Sequence, residues 1–257
     1  MQNNIISGLF VGQNLVTLKE VDSTNNYLKE LLANSKPLTE GTVIMAEAQH
    51  AGRGQHNNKW LSEPGKNLTF SILLKPSFLP IQQQFDLTRC ISIGVINALK
   101  PYFGIALKVK WPNDIYVGER KLGGMLIENQ LQGSQIRHSI VGIGINVNQD
   151  NFPEGSGSPI SFKQILHRDY HLQTILAELC KGIEVSYLQL KAGRVEGIRN
   201  AYIDSLLAFN EPRYFKVNGN VVSGVITGVT GEGLLQVNHD GIESRYNLKE
   251  IEFLKNQ

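Results

Sequence analysis

The sequence predicts an α+β protein in which a mixed, mainly antiparallel sheet is flanked by helices and followed by a small C-terminal β-barrel. Amphipathic helical patterns alternate with short β-prone runs over most of the chain. Segment 106–128 alternates apolar and polar residues and is interrupted by turn residues at 111–114 and again at 118–121, which is typical of an antiparallel meander. From residue 214 onward, short β-prone runs are separated by turn signals. We therefore predict two domains, residues 1–210 and residues 211–257, that join near Glu211-Pro212.

The first elements are a strand at about 15–18 and a helix. Asp22-Ser23-Thr24 precede the helical pattern, so the helix is predicted to begin close to residue 25, with an apolar face formed by Tyr27, Leu28, Leu31 and Leu32. Because these three polar residues are good helix caps, capping is the alternative to a role for them in ligand binding.

The later elements follow from the same periodicities. Strands are predicted at 42–47 and 67–74, with a polar, glycine-rich loop at 49–60 between them. Then come a helix at about 85–99, the meander, one strand or a strand pair at 136–147, a loop at 148–159, and helices at about 172–187 and 195–207.

The length, composition and net charge of the chain limit the classes of protein to which it can belong. A chain of 257 residues buries about 70 to 75% of its unfolded surface, so it needs neither disulfides nor metal for a core. No apolar run approaches the roughly 20 residues that cross a bilayer, and the amino terminus lacks a secretory signal pattern, so we expect a cytoplasmic protein that does not enter a membrane. The formal net charge of +2, without a basic cluster, argues against a general nucleic-acid binder.

The cysteines and histidines predict no metal site. Cys90 and Cys180 each lie in an apolar, helix-patterned stretch, which indicates buried thiols in a reducing compartment. His167 and His171 have the i, i+4 spacing of a helical metal site, but no third ligand completes the set.

The most informative segment is the loop that ends at Trp60, because it contains Gly52-Arg53-Gly54. Glycines let a backbone approach a ligand closely, and the amide groups and the guanidinium between them are donors for phosphate oxygens. A simple tight turn is the alternative interpretation.

Two further segments concentrate functional side chains. Lys108-Val109-Lys110-Trp111-Pro112-Asn113-Asp114 is followed seven positions later by Lys121-Leu122-Gly123-Gly124-Met125, so a tryptophan, a carboxylate and three lysines share one meander. Lysine in a partly closed pocket pairs with phosphate or carboxylate, and aspartate accepts a proton; the alternative is an ordinary hairpin turn. Gly142-Ile143-Gly144-Ile145-Asn146 places glycines inside an apolar strand, which indicates that another group comes close to the backbone there; a bulge is the alternative.

In this order and spacing, the segments resemble the biotin protein ligase family. The five segments are Ser23-Thr24-Asn25, Gly52-Arg53-Gly54, Lys110 to Asp114, Lys121 to Gly124, and Gly142 to Asn146. The resemblance implies a catalytic domain like those of class II synthetases and lipoate ligases, and a C-terminal barrel of the Src-homology-3 type. Because too few residues precede Asp22 to build three helices, we expect the stand-alone form and no direct DNA binding.

The resemblance also implies roles for individual residues. A biotin-binding set comprises Ser23, Thr24, Asn25, Gln49, Gly52, Arg53, Gly54, Lys121, Gly123, Gly124 and Gly142. An ATP and adenylate set comprises Arg53, Gln55, Trp60, Lys110, Asn113 and Asn146. Arg53, Lys121 and Asp114 are the candidate catalytic residues, Trp60 the aromatic wall of the nucleotide pocket, and Trp111 a core residue.

The implied reaction uses ATP to activate biotin as an acyl-adenylate, with Mg²⁺, and then biotinylates one lysine of a biotin carboxyl carrier domain. We expect a monomer or a weak homodimer. The alternatives are a lipoate ligase of the same fold and a non-enzymatic biotin-sensing regulator. The loop departs from the family pattern at Gln55 to Asn58, where relatives have further basic residues and a glycine; His56 is the one histidine expected near the ligand, and Asn57 is expected to make the turn.

Overall fold

The computed structural model describes residues 3–4, 8–34, 37–55, 58–154 and 156–254. The strands are β1 (Asn3–Asn4), β2 (Leu15–Val21), β3 (Val43–Gln49), β4 (Leu68–Leu74), β5 (Leu107–Lys110), β6 (Asp114–Val117), β7 (Arg120–Gln132), β8 (Gln135–Ile145), β9 (Pro212–Val217), β10 (Asn220–Val229), β11 (Leu235–His239), β12 (Ile242–Tyr246) and β13 (Ile251–Phe253). The helices are α1 (Thr24–Asn34), α2 (Gln84–Phe103), α3 (Phe162–Leu166), α4 (Leu172–Lys191) and α5 (Val195–Asp204). His56 and Asn57 lie outside the described residues.

The first eight strands form one sheet in the order β1-β2-β3-β4-β8-β7-β6-β5. Strands β2 and β3 are parallel, and the other neighbouring pairs of this sheet are antiparallel. The prediction of a mixed, mainly antiparallel sheet is therefore confirmed, and the meander is formed by β5, β6 and β7.

The two faces of the sheet carry separate apolar clusters because side chains alternate along each strand. Leu28 of α1 packs with Ile44, Leu73 and Ile140 on one face. The neighbouring strand residues, such as Val43, Ile72 and Val141, point to the other face and join the larger core that includes α2 and α4. The sheet is thus covered by α1 on one side and by the longer helices on the other.

Helices α2 and α4 touch through glycines. A Cβ atom built on Gly94 would lie 2.7 Å from the Cα of Ile183, and one built on Gly182 would lie 2.5 Å from the carbonyl oxygen of Gly94. The cysteines of these helices, Cys90 and Cys180, are buried, and burial raises the pKa of both thiols. The prediction of buried thiols is confirmed.

The helices differ from the sequence prediction in several places. Helix α2 continues past the predicted end at about residue 99, through Pro101, to Phe103. Helix α3 was not predicted, although its capping box is visible in the sequence: Ser161 accepts from the backbone N–H of Gln164, whose side chain accepts from the backbone N–H of Ser161. Helix α5 ends at Asp204.

The C-terminal strands form a second, antiparallel sheet in the order β12-β11-β10-β9-β13, as predicted from the turn spacing. The turn between β10 and β11 contacts helix α2 and the segment between β5 and β6. The buried guanidinium of Arg89 donates to the carbonyls of Val229 and Thr230, and the indole Nε1 of Trp111 donates to the carbonyl of Gly233 at 3.0 Å. Within the described residues, none of the helices is long and apolar enough to cross a membrane.

Candidate functional site

A cavity of about 500 Å³ opens between the start of α1, the loop after β3, strands β7 and β8, and the β13 segment of the C-terminal sheet. This volume is within the range of small-molecule sites, roughly 300 to 1,000 Å³. Most of the residues singled out in the sequence line it: Ser23, Thr24, Asn25, Gln49, Arg53, Gly54, Gln55, Trp60, Lys110, Asn113, Asp114, Lys121, Gly124 and Gly142.

Three of the singled-out residues do not line this cavity, and each has a packing role. A Cβ atom on Gly52 would lie 2.4 Å from the carbonyl oxygen of Trp60, and one on Gly123 would lie 2.5 Å from that of Gly144. The buried side chain of Asn146 donates to the carbonyls of Ile160 and Lys121 at 3.1 and 3.4 Å. Gly52 therefore closes the loop, Gly123 allows β7 to approach β8, and Asn146 joins β8 to the segment before α3.

The floor of the cavity is made of glycines whose missing side chains leave room for others. A Cβ atom on Gly142 would meet the Oδ1 of Asn25 at 2.4 Å, and one on Gly144 would meet the indole of Trp60 at 2.4 Å. Both glycines lie in regular register with β4 and β7, so the bulge interpretation is wrong at these positions and the close-approach interpretation holds.

The polar groups at the start of α1 are fixed by one another. The backbone N–H of Thr24 donates to Oε1 of Gln49 at 2.7 Å, so Gln49 caps this end of the helix from the neighbouring strand. The hydroxyl of Ser71 lies 2.6 Å from Oδ1 of Asn25 and 2.7 Å from the hydroxyl of Thr24. Since the amide oxygen only accepts, Ser71 donates to Asn25, and Thr24 donates to Ser71. The lone pairs of Thr24 remain as acceptors for a ligand N–H group.

Arg53 and Lys121, the two cations expected at the reacting groups, both line this cavity. Arg53 makes a bidentate pair with Glu128 at 2.7 and 3.1 Å, and Lys121 pairs with Asp114 at 2.8 Å. The described lining carries five cationic side chains and two carboxylates, which favours an anionic ligand. Burial lowers the pKa of Lys110, whose ammonium lies 5.2 Å from the centre of the Phe253 ring.

Several residues of the site were not predicted from the sequence. Ser71 is one of two hydroxyl residues in the otherwise apolar strand β4, and Glu128 directly follows the apolar run Met125-Leu126-Ile127 of β7. Lys249 lines the cavity from the C-terminal sheet and has a φ of 85°, which a lysine rarely adopts. Nothing in its local sequence indicates that position.

Two buried donors near the cavity have no hydrogen-bond partner among the described residues. They are the Nε of Arg53 and the Nε1 of Trp60. Because an unpaired buried N–H is costly, such groups are typical of sites that a ligand completes. Trp60 is half-buried and lines the cavity, whereas Trp111 is 5% exposed and is a core residue that also touches the cavity.

No group of three or more metal-ligating side chains occurs in the described part of the chain. His167 and His171 do not share a helix, because His167 ends α3 with a φ of 56° and His171 precedes α4. Their spacing in the sequence therefore does not place them on one helical face.

Comparison with known proteins identifies the family. The model of the biotin/lipoate A/B protein ligase family matches residues 18–146, which is half of the chain. The bifunctional ligase/repressor BirA of Bacillus spizizenii is 38% identical over 146 residues, which cover 56% of this chain and 44% of that protein. The chain thus matches less than half of the length of this relative. The biotin--[acetyl-CoA-carboxylase] ligase of Paracoccus denitrificans is 25% identical over 85% of this chain and 91% of its own.

Among solved structures, the biotin protein ligase from Aquifex aeolicus in complex with biotin and ATP superposes with a TM-score of 0.78. It is 28% identical, and the superposition covers 95% of this chain and all of that one. Since the family model covers half of the sequence and the fold agrees over nearly all of it, the chain belongs to the biotin/lipoate A/B protein ligase family.

Proposed function

We propose that this protein is a biotin protein ligase: it uses ATP to convert biotin to biotinyl-5'-AMP and then transfers biotin to one lysine of a biotin carboxyl carrier domain. The observation that carries the proposal is that Arg53 and Lys121, from segments far apart in the sequence, line one cavity that also contains the polar start of α1 and the indole of Trp60. The same cavity thus offers acceptors, cations and an aromatic wall.

The lining of the cavity suits both substrates. Ser23, Thr24 and Gln49 supply polar groups for the ureido ring of biotin, and lone pairs of the Thr24 hydroxyl can accept from its N–H groups. Trp60 supplies a flat surface for adenine, where stacking contributes about 1 to 3 kcal/mol per base in comparable sites. Gln55 and Asn113 lie on the same lining and complete the proposed nucleotide set.

In the first step, a carboxylate oxygen of biotin attacks the α-phosphorus of ATP, and pyrophosphate leaves with the electron pair of the broken P–O bond. Both reactants are anions, so Arg53 and Lys121 lower the barrier by offsetting their repulsion and the charge that develops at phosphorus. The site also fits Mg²⁺, which prefers substrate phosphates plus one or two carboxylates; Glu252 is a carboxylate on the lining that would help to hold the ion, and the ion would supply further charge stabilisation.

In the second step, the amine of the acceptor lysine attacks the acyl carbon, and AMP leaves. The ordinary pKa of this amine is about 10.4, so on the order of one in 2,500 is neutral at pH 7. Asp114 is proposed to orient the amine and to accept its proton. Its pairing with Lys121 at 2.8 Å holds it beside the site of the first step.

The finer architecture is part of the same proposal. Residues 1–210 form the catalytic domain, and residues 211–257 form a barrel of the Src-homology-3 type. The sheet order supports this, because the chain returns after β12 to place β13 beside β9. Lys249 and Glu252 of this second unit line the cavity, so it takes part in the site.

The proposal is tested by incubating the protein with biotin, MgATP and a biotin carboxyl carrier domain and measuring intact masses. A gain of one biotin on one lysine is expected, and lipoate in place of biotin tests the related activity of the family. Asp114→Asn separates the steps: biotin-dependent exchange of pyrophosphate into ATP is expected to persist while transfer slows. Equal loss of both steps would remove Asp114 from the proton-transfer role, and no mass gain with either acid would refute the ligase assignment.

A further inference from the structure

We propose that Glu128 is a positioning residue of this site: it holds the guanidinium of Arg53 in the orientation that binds the reacting anions. The inference rests on the proposed function, because it concerns how the loop cation meets biotin and ATP. Glu128 does not line the main cavity itself and lies behind Arg53, on the lining of the adjoining one.

The contacts of Glu128 join three segments. Its carboxylate accepts from both terminal nitrogens of Arg53, at 2.7 and 3.1 Å, from the ammonium of Lys29 at 2.5 Å, and from the amide of Asn25 at 2.8 Å. The side chain is 22% exposed, so the cluster is partly withdrawn from water. A bidentate arginine–carboxylate pair fixes the plane of the guanidinium as well as its position.

The contact fixes the part of the loop that carries Arg53. The backbone N–H groups of His50 and Ala51 donate to the carbonyls of Val21 and Asp22 and hold the start of the loop, whereas the described backbone bonds of Gly54 to Asn58 and of Trp60 to Gly52 close the rest of the loop on itself. The pair with Glu128 joins the middle of the loop to β7. The Nε of Arg53 stays without a partner among the described residues, so the pair leaves that donor for a ligand.

The charges of the cluster suit this role. One carboxylate, that of Glu128, lies between the cations of Lys29 and Arg53, so the three side chains together have a net charge of +1. Burial alone would raise the pKa of Glu128, but the hydrogen bonds from Lys29, Arg53 and Asn25 lower it below its ordinary value. Glu128 is therefore ionised at neutral pH, where its carboxylate can pair with Arg53.

Glu128→Gln is the primary test, since it keeps the shape of the side chain and removes the charge. We expect the kcat/KM of biotin-dependent pyrophosphate exchange to fall by about 10- to 100-fold, the range for losing a hydrogen bond to a charged partner. Glu20→Gln is the matched control: it also removes one negative charge beside the same loop, but Glu20 is exposed and 3.7 Å from His50, and we expect the wild-type rate.

A double-mutant cycle distinguishes positioning from a general loss of structure. In an Arg53→Gln background, Glu128→Gln is expected to have little further effect, because the group that it positions is already gone. Glu128→Asp, which keeps the carboxylate but withdraws it by one methylene, is expected to show an intermediate loss and serves if the glutamine variant folds poorly. Additive losses in the double variant, or a wild-type rate for both single Glu128 variants, would overturn the proposal.

Limited trypsin digestion without substrates separates this inference from the proposed function. Trypsin cleaves after Arg53 and Lys59, and Glu128→Gln is expected to accelerate cleavage at Arg53 several-fold while Glu20→Gln does not. If the wild-type protein makes no biotinyl-adenylate but digestion responds in this way, the ligase assignment fails and the positioning contact stands. If digestion is unchanged, the contact does not hold the loop.

Discussion

Replacing Gly144 with alanine tests the nucleotide side of the cavity. The added Cβ atom would lie 2.4 Å from Cε2 and 2.5 Å from Cζ2 of Trp60, whereas ordinary contacts begin near 3.4 Å. The indole must therefore retreat by about 1 Å, since the backbone of Gly144 is fixed in β8 between two strands. Trp60 is half-buried and lies on a loop, so it yields more easily than the sheet does.

The expected cost falls on ATP binding and much less on folding. Losing the stacking surface removes about 1 to 3 kcal/mol per base, which corresponds to an increase of roughly 5- to 150-fold in the KM for ATP. The KM for biotin is expected to change little, because the proposed contacts to the ureido ring lie near the start of α1. Overpacking of a rigid core costs about 1 to 3 kcal/mol, and we expect the lower end because the indole can move.

Pyrophosphate exchange at varied ATP and at varied biotin measures both constants. Gly197→Ala is the matched control: no atom lies within 4 Å of the added Cβ, so both KM values should stay unchanged while α5 gains up to about 1 kcal/mol of stability. An unchanged KM for ATP in Gly144→Ala, or an equal rise in both KM values, would refute the assignment of Trp60 to the nucleotide.

Three other predictions concern stability and pH. The carboxylate of Glu184 accepts from the backbone N–H groups of residues 9–11 at 2.6 to 2.8 Å, so Glu184→Gln should lower the free energy of unfolding by about 2 kcal/mol in urea titrations; a change within error would show that this anchor is dispensable. Lys249→Gly relieves a φ of 85°, so the free energy of unfolding should increase by about 1 kcal/mol and the melting temperature should rise; a decrease would contradict the strain. The same change removes a cation from the cavity, so the KM for ATP should also rise. The pKa of Glu128 is lower in the folded protein than in the unfolded chain, so its ionised carboxylate stabilises the fold fully above its ordinary pKa of about 4.3, and this stabilisation is lost as the pH falls through the folded-state pKa. The free energies of unfolding of wild type and Glu128→Gln, measured by urea titration, should therefore differ near neutrality and converge at acidic pH.

The sequence predicted much of the fold because periodicity and turn residues are local signals. Strand β4 was predicted to within one residue at 67–74, and the start of α1 near residue 25 lies one position from Thr24. Helix α3 was missed because a five-residue helix shows little periodicity, and its capping box was the only signal. The end of α2 was predicted at about residue 99, whereas the helix continues through Pro101 to Phe103.

The candidate site was predictable where one segment carries several functional side chains, as in the Arg53 loop and the meander. Contacts made by single residues from distant segments were not. Lys249 lies nearly 200 positions after Arg53 in the sequence, and it reaches the cavity only because the C-terminal sheet packs beside it. Glycines gave an ambiguous signal: Gly123 and Gly124 are adjacent in the sequence, yet Gly124 lines the cavity and Gly123 packs against β8.

The register of the sheet places Asn25, a predicted biotin-binding residue that lines the cavity, where it can also position its neighbours. Ser71 of β4 pairs with Gly142 of β8, which in turn pairs with Leu126 of β7, so these three residues lie side by side. Asn25 occupies the space above Gly142, where its oxygen meets Ser71 and its amide donates to the carbonyl of Leu126 and to Glu128. Both hydrogens of the Asn25 amide are therefore engaged within the protein, and its oxygen accepts from Ser71. We infer that Asn25 positions the hydroxyl of Thr24 through Ser71 and the guanidinium of Arg53 through Glu128.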